Sequence, residues 1–141
     1  MTIRNIQLES DYPIIAKWWE THKAVNIPKE VFLPAAGYIA VDEQLTPVAV
    51  SWLFVASGTV GGIGMIEFTT TNPAFGISKK LLQAVNALYE HLEVEAWSRG
   101  CKAVMSMVED GGSESRIMAK LGYVDVGGRP HLIYGKAIKC R

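Results

Sequence analysis

The chain has 141 residues, 49% of them apolar, enough for one packed core and too few for two ordinary domains. Fourteen basic and fourteen acidic residues cancel, so no net field would draw the chain onto nucleic acid or an anionic membrane. The start, MTIRNIQLESDY, lacks the apolar core of a signal peptide, and no apolar run reaches the length of a membrane span, so a soluble cytoplasmic protein is expected.

In chain order, TIRNI reads as a short edge-like strand, with Ile3 and Ile6 flanking polar residues. ESDYPIIAKWWETH reads as an amphipathic helix. Ser10 or Asp11 can cap its first amides, Pro13 fits inside the first turn, and Ile14, Ile15, Trp18 and Trp19 recur at helical spacing. Adjacent tryptophans on a helix cannot share one face. One of the pair is expected in the core and the other partly exposed, where with Trp52 it would line an acceptor pocket or anchor a homodimer. AVNIPKEVFLPAAG, with Pro28 and Pro34, reads as a loop containing one helical turn. GYIAVD and PVAVSWLFVA are β-rich runs joined as a hairpin by EQLT. SGTVGGIG reads as a flexible connection. A dinucleotide fingerprint needs a helix directly after its glycines, whereas MIEFTTT continues as a strand.

From Ile77 the period changes. Ile77, Leu81, Val85, Leu88, Leu92 and Ala96 form one stripe of a long helix, which Arg99 and Gly100 stop. KAVMSMV returns to a strand apolar enough to be central in a sheet. DGGSESRIMAKLGY holds a shorter helix, capped by Ser113, with Ile117, Met118 and Leu121 inward and Gly122 at its end; GGRPHLIYGKAIK closes the chain as a strand. The order β-α-loop-β-β-β-α-β-α-β, without repeats or low-complexity linkers, predicts one α/β domain over residues 1–141, a mixed central sheet flanked by helices. Cys101 and Cys140 have no CxxC spacing and His22, His91 and His131 lie far apart, so no metal site is expected.

TNPAFGISKKLLQ, Thr71 to Gln83, joins a strand to the first turn of the long helix. Up to four amides at a helix N-terminus lack partners, and the helix dipole adds partial positive charge. Gly76 removes a side chain that would hold a phosphate away, Ser78 adds a hydroxyl, and Lys79 and Lys80 bring cations to a place where they oppose the dipole. An anion would account for all of these; the alternative is a solvated turn.

The order of elements and this loop together resemble the GNAT superfamily of acyl-CoA N-acyltransferases over nearly the whole chain. PAFGIS stands where members carry Q/R-x-x-G-x-G/A, with Gly76 on the first motif glycine and Ser78 on the second small position. ESDYPIIAKWW is similar to the first helix of members, and SRIMAKLGYVDVGG to the late helix that ends in L-G-F or L-G-Y. LPAAGYIAVDEQLTPVAVSWL is similar to a small phage- or prophage-associated branch. The resemblance implies acetyl-CoA as cosubstrate and a primary amine, small or on a protein, as acceptor. It places Phe68, Thr69, Thr70 and Thr71 along the thioester arm, with Ala74, Phe75, Gly76, Ile77, Ser78 and Lys79 around the pyrophosphate. Three positions depart from the pattern: Pro73 replaces the usual glutamine or arginine, Met118 the tyrosine that protonates the leaving thiolate, and Gly111 a coenzyme-binding asparagine.

Direct transfer needs a base for the amine, donors for the oxyanion and a fate for the thiolate. Glu67, the one carboxylate on the strand before the loop, is the candidate base. Tyr123 and Tyr134 could replace the acid by residue type, but core-edge positions with their hydroxyls in water are expected. The competing expectation is a non-catalytic relative serving as a binding or assembly module in a phage setting.

Overall fold

The computed structural model describes residues 1–24, 28–31, 36–56, 61–109, 113–125 and 131–137. The elements are β1 (Thr2–Asn5), α1 (Leu8–Thr21), β2 (Gly37–Val41), β3 (Pro47–Ala56), β4 (Gly62–Thr71), α2 (Lys79–Ser98), β5 (Cys101–Glu109), α3 (Ser113–Lys120), β6 (Val124–Asp125) and β7 (His131–Ala137). Single 3₁₀ turns occupy Lys29–Val31 and Pro73–Phe75. The fold is mixed α/β, with one seven-stranded sheet in the order β1-β2-β3-β4-β5-β7-β6. β4 and β5 run parallel, while the β1–β2, β2–β3, β5–β7 and β6–β7 pairs are antiparallel. Gly111 and Cys140 lie outside the described residues, as do the side chains of Ser113, His131 and Tyr134.

The chain divides into two compact units, residues 1–52 with 68–88, and residues 53–67 with 89–141. In the first, Ile15, Trp18, Trp19, Ile39, Val48, Val50 and Trp52 are buried. The expectation of one exposed tryptophan is corrected here: Trp18 and Trp19 are 5% and 4% exposed, and Trp19 packs on Trp52 with ring centroids 6.2 Å apart. Neighbouring helical positions differ by about 100°, which a broad apolar face accommodates. Helix α1 also starts earlier than predicted, with Gln7 as N-cap and no side-chain cap bond, so Pro13 falls in the second turn. Asp11 serves otherwise. Its carboxylate takes the Gln7 amide at 2.7 Å and the Arg4 guanidinium at 2.7 and 2.9 Å, tying β1 to the helix. Burial alone would raise the Asp11 carboxyl, but Arg4 and the Gln7 amide outweigh it and hold it below its ordinary value.

In the second unit Leu53, Ile66, Tyr89, Leu92, Ala96, Val104, Val108 and Met118 are buried. Gly62 to Gly64 belong to β4 rather than to a connection, and Gly64 shows why a glycine is there. A Cβ at Gly64 would stand 3.0 Å from Leu53 and 3.1 Å from Ala96 and Val104, so the glycine lets the long helix lie against the strands. The predicted stripe of α2 is buried at Val85, Leu88, Leu92 and Ala96 and half-buried at Leu81, but Ile77 precedes the helix and is 84% exposed. Glycines at positive φ, Gly100 at 84° and Gly122 at 82°, follow α2 and α3. The two-residue β6 had no signal in the sequence: it is too short for alternation to register.

Candidate functional site

The loop between β4 and α2 lies wholly in the first unit. Asn72 organises it. Its amide donates to the Val48 carbonyl at 2.8 Å, its Nδ2 donates to the Pro47 carbonyl at 2.8 Å, and its Oδ1 accepts the Ala74 amide at 3.0 Å. Pro73 opens the 3₁₀ turn, where its fixed φ suits the first position and its missing N–H costs nothing. That is a structural reason for the residue that departs from the motif. The Phe75 amide bonds the Asn72 carbonyl at 3.1 Å and the Gly76 amide bonds the Pro73 carbonyl at 3.2 Å. Ala74, Phe75 and Gly76 thus direct their amides into the loop itself. Gly76 has φ 51° and ψ −156°, backbone territory that is almost exclusively glycine's, and no atom would meet an added Cβ within 4 Å. The conformation, not crowding, selects the glycine.

Past Gly76 the accounting changes. Ser78 caps α2: its Oγ accepts the Leu81 amide at 3.2 Å and its carbonyl the Leu82 amide at 3.1 Å. The amides of Ile77, Ser78, Lys79 and Lys80 form no hydrogen bond among the described residues, so four donors gather at the positive end of a 20-residue helix. Lys79 is exposed and makes no ion pair among the described residues.

Lys80 has a structural role that the sequence concealed. Its ammonium pairs with Asp42, a carboxylate only 5% exposed, and lies 5.1 Å from the Phe75 ring centroid. Lys80 holds the Asp42 carboxyl below its ordinary value against the opposing effect of burial, helped by the Thr46 and Gln44 amides that donate to it. A cavity of about 410 Å³ beside the pair is lined by Asp42, Glu43 and Gln44 as well as Lys80. Two carboxylates there would repel an anion, whereas the Ile77–Lys79 side of the helix end carries none.

Sequence reasoning also missed His22. The N–H and C=O of one trans peptide unit point opposite ways. Since the Asn72 amide goes to β3, the Thr71 carbonyl points away from it, and there His22 Nε2 meets it at 2.8 Å. A carbonyl only accepts, so Nε2 carries the proton. The partners are 49 residues apart, and no local pattern announces them. The other predicted arm residues precede this point. Phe68 is 48% exposed at φ 57°, a left-handed conformation that bulky residues rarely adopt. Thr69 shares a hydrogen bond of 2.9 Å with Ser51, and Thr70 is buried.

Glu67 ends the β4 segment of the second unit and is half-buried. Burial raises its carboxyl above the ordinary glutamate value, and a hydrogen bond from the Met107 backbone offsets this only in part. Such a group is a stronger base than an exposed glutamate once ionised.

No family model matches the sequence, and no curated protein does. Solved structures do match. One is the Mycobacterium tuberculosis protein Rv2747 in complex with CoA and NLQ, with a TM-score of 0.77 at 13% identity, covering 99% of this chain and 100% of that one. The fold is shared with solved structures that include a GNAT-family acetyltransferase. An aminoglycoside 6'-acetyltransferase type Ii gives a TM-score of 0.77 at 18% identity, with 100% and 99% of the two chains covered. A GNAT-family acetyltransferase from Listeria monocytogenes gives 0.66 at 11%, with 97% and 94% covered. At such identities the likeness establishes the fold, and function must rest on this chain's own residues.

Met118, which the sequence resemblance sets where a tyrosine acid is expected, is fully buried on α3. Tyr123 does not replace it. The expectation of a hydroxyl in water is corrected: Tyr123 is 3% exposed, its ring meets Tyr89 edge-on at 5.9 Å, and Glu93 acts on its buried hydroxyl. Burial above all, with Glu93 and Tyr89 adding, drives its pKa far up, so it holds its proton throughout the working range. The α2 residue Glu93 is itself buried, which is why the pair was not legible from spacing alone.

Proposed function

We propose that the chain is an acyl-CoA-dependent N-acyltransferase, with acetyl-CoA as donor and a primary amine as acceptor, acting as a single domain over residues 1–141. The observation that carries the proposal is the run of four amides from Ile77 to Lys80 without a partner among the described residues, opened by the glycine-specific turn at Gly76. Oriented N–H groups at a helix end suit a pyrophosphate, and the Rv2747 structure, of the same fold, contains CoA.

Acetyl-CoA supplies the acyl group as a thioester. Ile77, Ser78 and Lys79 hold its pyrophosphate, with Ala74, Phe75 and Gly76 shaping the turn, and Phe68 to Thr71 lie along the thioester arm. Glu67 accepts the proton that the amine must lose for its lone pair to attack the carbonyl carbon. The carbon–nitrogen bond forms as the carbon–sulfur bond breaks. A thiol's ordinary pKa of about 8.5 lets it depart as the thiolate and take a proton from water, so the methionine at 118 slows the reaction without forbidding it.

Free thiol released from acetyl-CoA in the presence of primary amines tests the proposal. Glu67→Gln should lower kcat about a hundredfold with little change in the KM for acetyl-CoA. Wild-type kcat should fall toward low pH with a midpoint above the ordinary glutamate value, because burial raises that carboxyl. Equal rates for variant and wild type would remove Glu67 from the mechanism. The second reading, a non-catalytic binding or assembly module of phage type, draws on the buried methionine at 118 and the buried hydroxyl of Tyr123. Coenzyme binding without thiol release for any amine would favour it.

A further inference from the structure

In the second unit, side chains alternate across β4 and β5, and the two faces differ. Gly64 and Ile66 on β4, with Val104, Ser106 and Val108 on β5, are buried, and Ala96 of α2 packs against Gly64. The opposite face carries Ile63, Met65 and Glu67 on β4 and Ala103, Met105 and Met107 on β5. The parallel register sets Ile63 beside Ala103 and Met65 beside Met105, while the Met107 backbone hydrogen-bonds the Glu67 carboxylate. Ile63 is 42% and Met107 53% exposed, and Met65, Ala103 and Met105 are half-buried. Among these six residues the apolar side chains accompany one carboxylate, Glu67, and no lysine or arginine.

We infer that this face receives the acceptor, and that the acceptor is a primary amine on an apolar body, its ammonium on Glu67 and its aliphatic or aromatic part on Ile63, Met65, Met105 and Met107. The inference rests on the acyltransfer reading for its role and adds the substrate class. Charge complementarity selects the head group: one anionic oxygen pair in apolar surroundings attracts a monocation, and a polycation would strand its other charges over methionine. Thioethers select the body, since unbranched methionines adapt to varied apolar shapes and make favourable contacts with aromatic rings. Among these six residues Glu67 alone offers a hydrogen-bonding side chain to a polar acceptor of the sugar or polyamine kind.

Methyl NMR of protein carrying ¹³C-labelled methionine tests this directly, because three of the five methionines lie on the face, and Met1 and the buried Met118 serve as controls. Phenethylammonium should shift the Met65, Met105 and Met107 methyls saturably and leave Met1 and Met118 in place. Ethylammonium, with charge but little body, and phenylacetate, with body but the wrong charge, should do so only at about tenfold higher concentration. Glu67→Gln should weaken the phenethylammonium response about tenfold, and Met107→Ser, at an exposed position, should weaken it while keeping the other resonances in place. Three results would overturn the inference: no shift, an equal response to phenylacetate, or shifts that depend on protein concentration without ligand, which would assign the face to a second copy of the chain. Thiol release that prefers spermidine over phenethylamine would also overturn it while leaving acyl transfer intact. The NMR response without any thiol release would keep the face as an amine site and reject the transfer.

Discussion

At Lys79 and Lys80, adjacent side chains at one helix end perform opposite tasks. Lys80 is held by a buried carboxylate, whereas Lys79 faces solvent where the helix dipole is positive. Lys79→Glu should therefore change two quantities in opposite directions. Stability without ligand should rise by about 0.3–1 kcal/mol, because a carboxylate suits the first turn, and acetyl-CoA affinity should fall; thermal unfolding and calorimetry read the two separately. Gly76→Val should lose on both counts, costing about 1–3 kcal/mol of stability for the strained backbone. The acidic side of the stability profile belongs to Asp11 and Asp42. Both carboxyls lie below their ordinary values in the folded chain, so their stabilisation is complete above the unfolded value of about 3.9 and is lost as pH falls through the folded one. Asp11→Asn should be less stable than wild type at pH 7, with the gap closing toward pH 2, as urea denaturation across that range would show.

Among the elements, α2 was the most legible. A five-turn stripe repeats often enough to declare itself, and four of its six predicted positions are fully buried, Val85, Leu88, Leu92 and Ala96. Its start was not legible, because Ile77 fits the period while Ser78 supplies the cap, and only the cap geometry ends the ambiguity. The candidate site divides along the same line. Gly76 and the free amides follow from local backbone chemistry and could be anticipated. The Lys80–Asp42 pair, the His22 bond to Thr71 and the Tyr123–Glu93 contact join residues far apart in sequence and needed the structure. The tryptophan pair misled for a related reason: a helix face set by a large core is wider than one stripe. The fit of α2 against β4 is testable at Gly64. Gly64→Ala should cost about 1–3 kcal/mol through overpacking against Leu53, Ala96 and Val104, and Gly64→Leu more, as urea midpoints would report.

For the whole molecule, the glycine turn at Gly76 precedes the helix end that is proposed to hold an anion, and Met118 is fully buried on α3. The proposed coenzyme site has the amides of Ile77, Ser78 and Lys79 on the pyrophosphate. Thermal unfolding with and without millimolar acetyl-CoA tests it most directly, with CoA and ATP as controls. Ligand at about a hundred times its Kd adds roughly 2.7 kcal/mol, a rise in Tm of several degrees for a domain of this size. Tm should rise with acetyl-CoA and CoA and change little with ATP, and the rise should be lost in Gly76→Val. An unchanged Tm with all three ligands would contradict it, and the loop would then be a turn and nothing more.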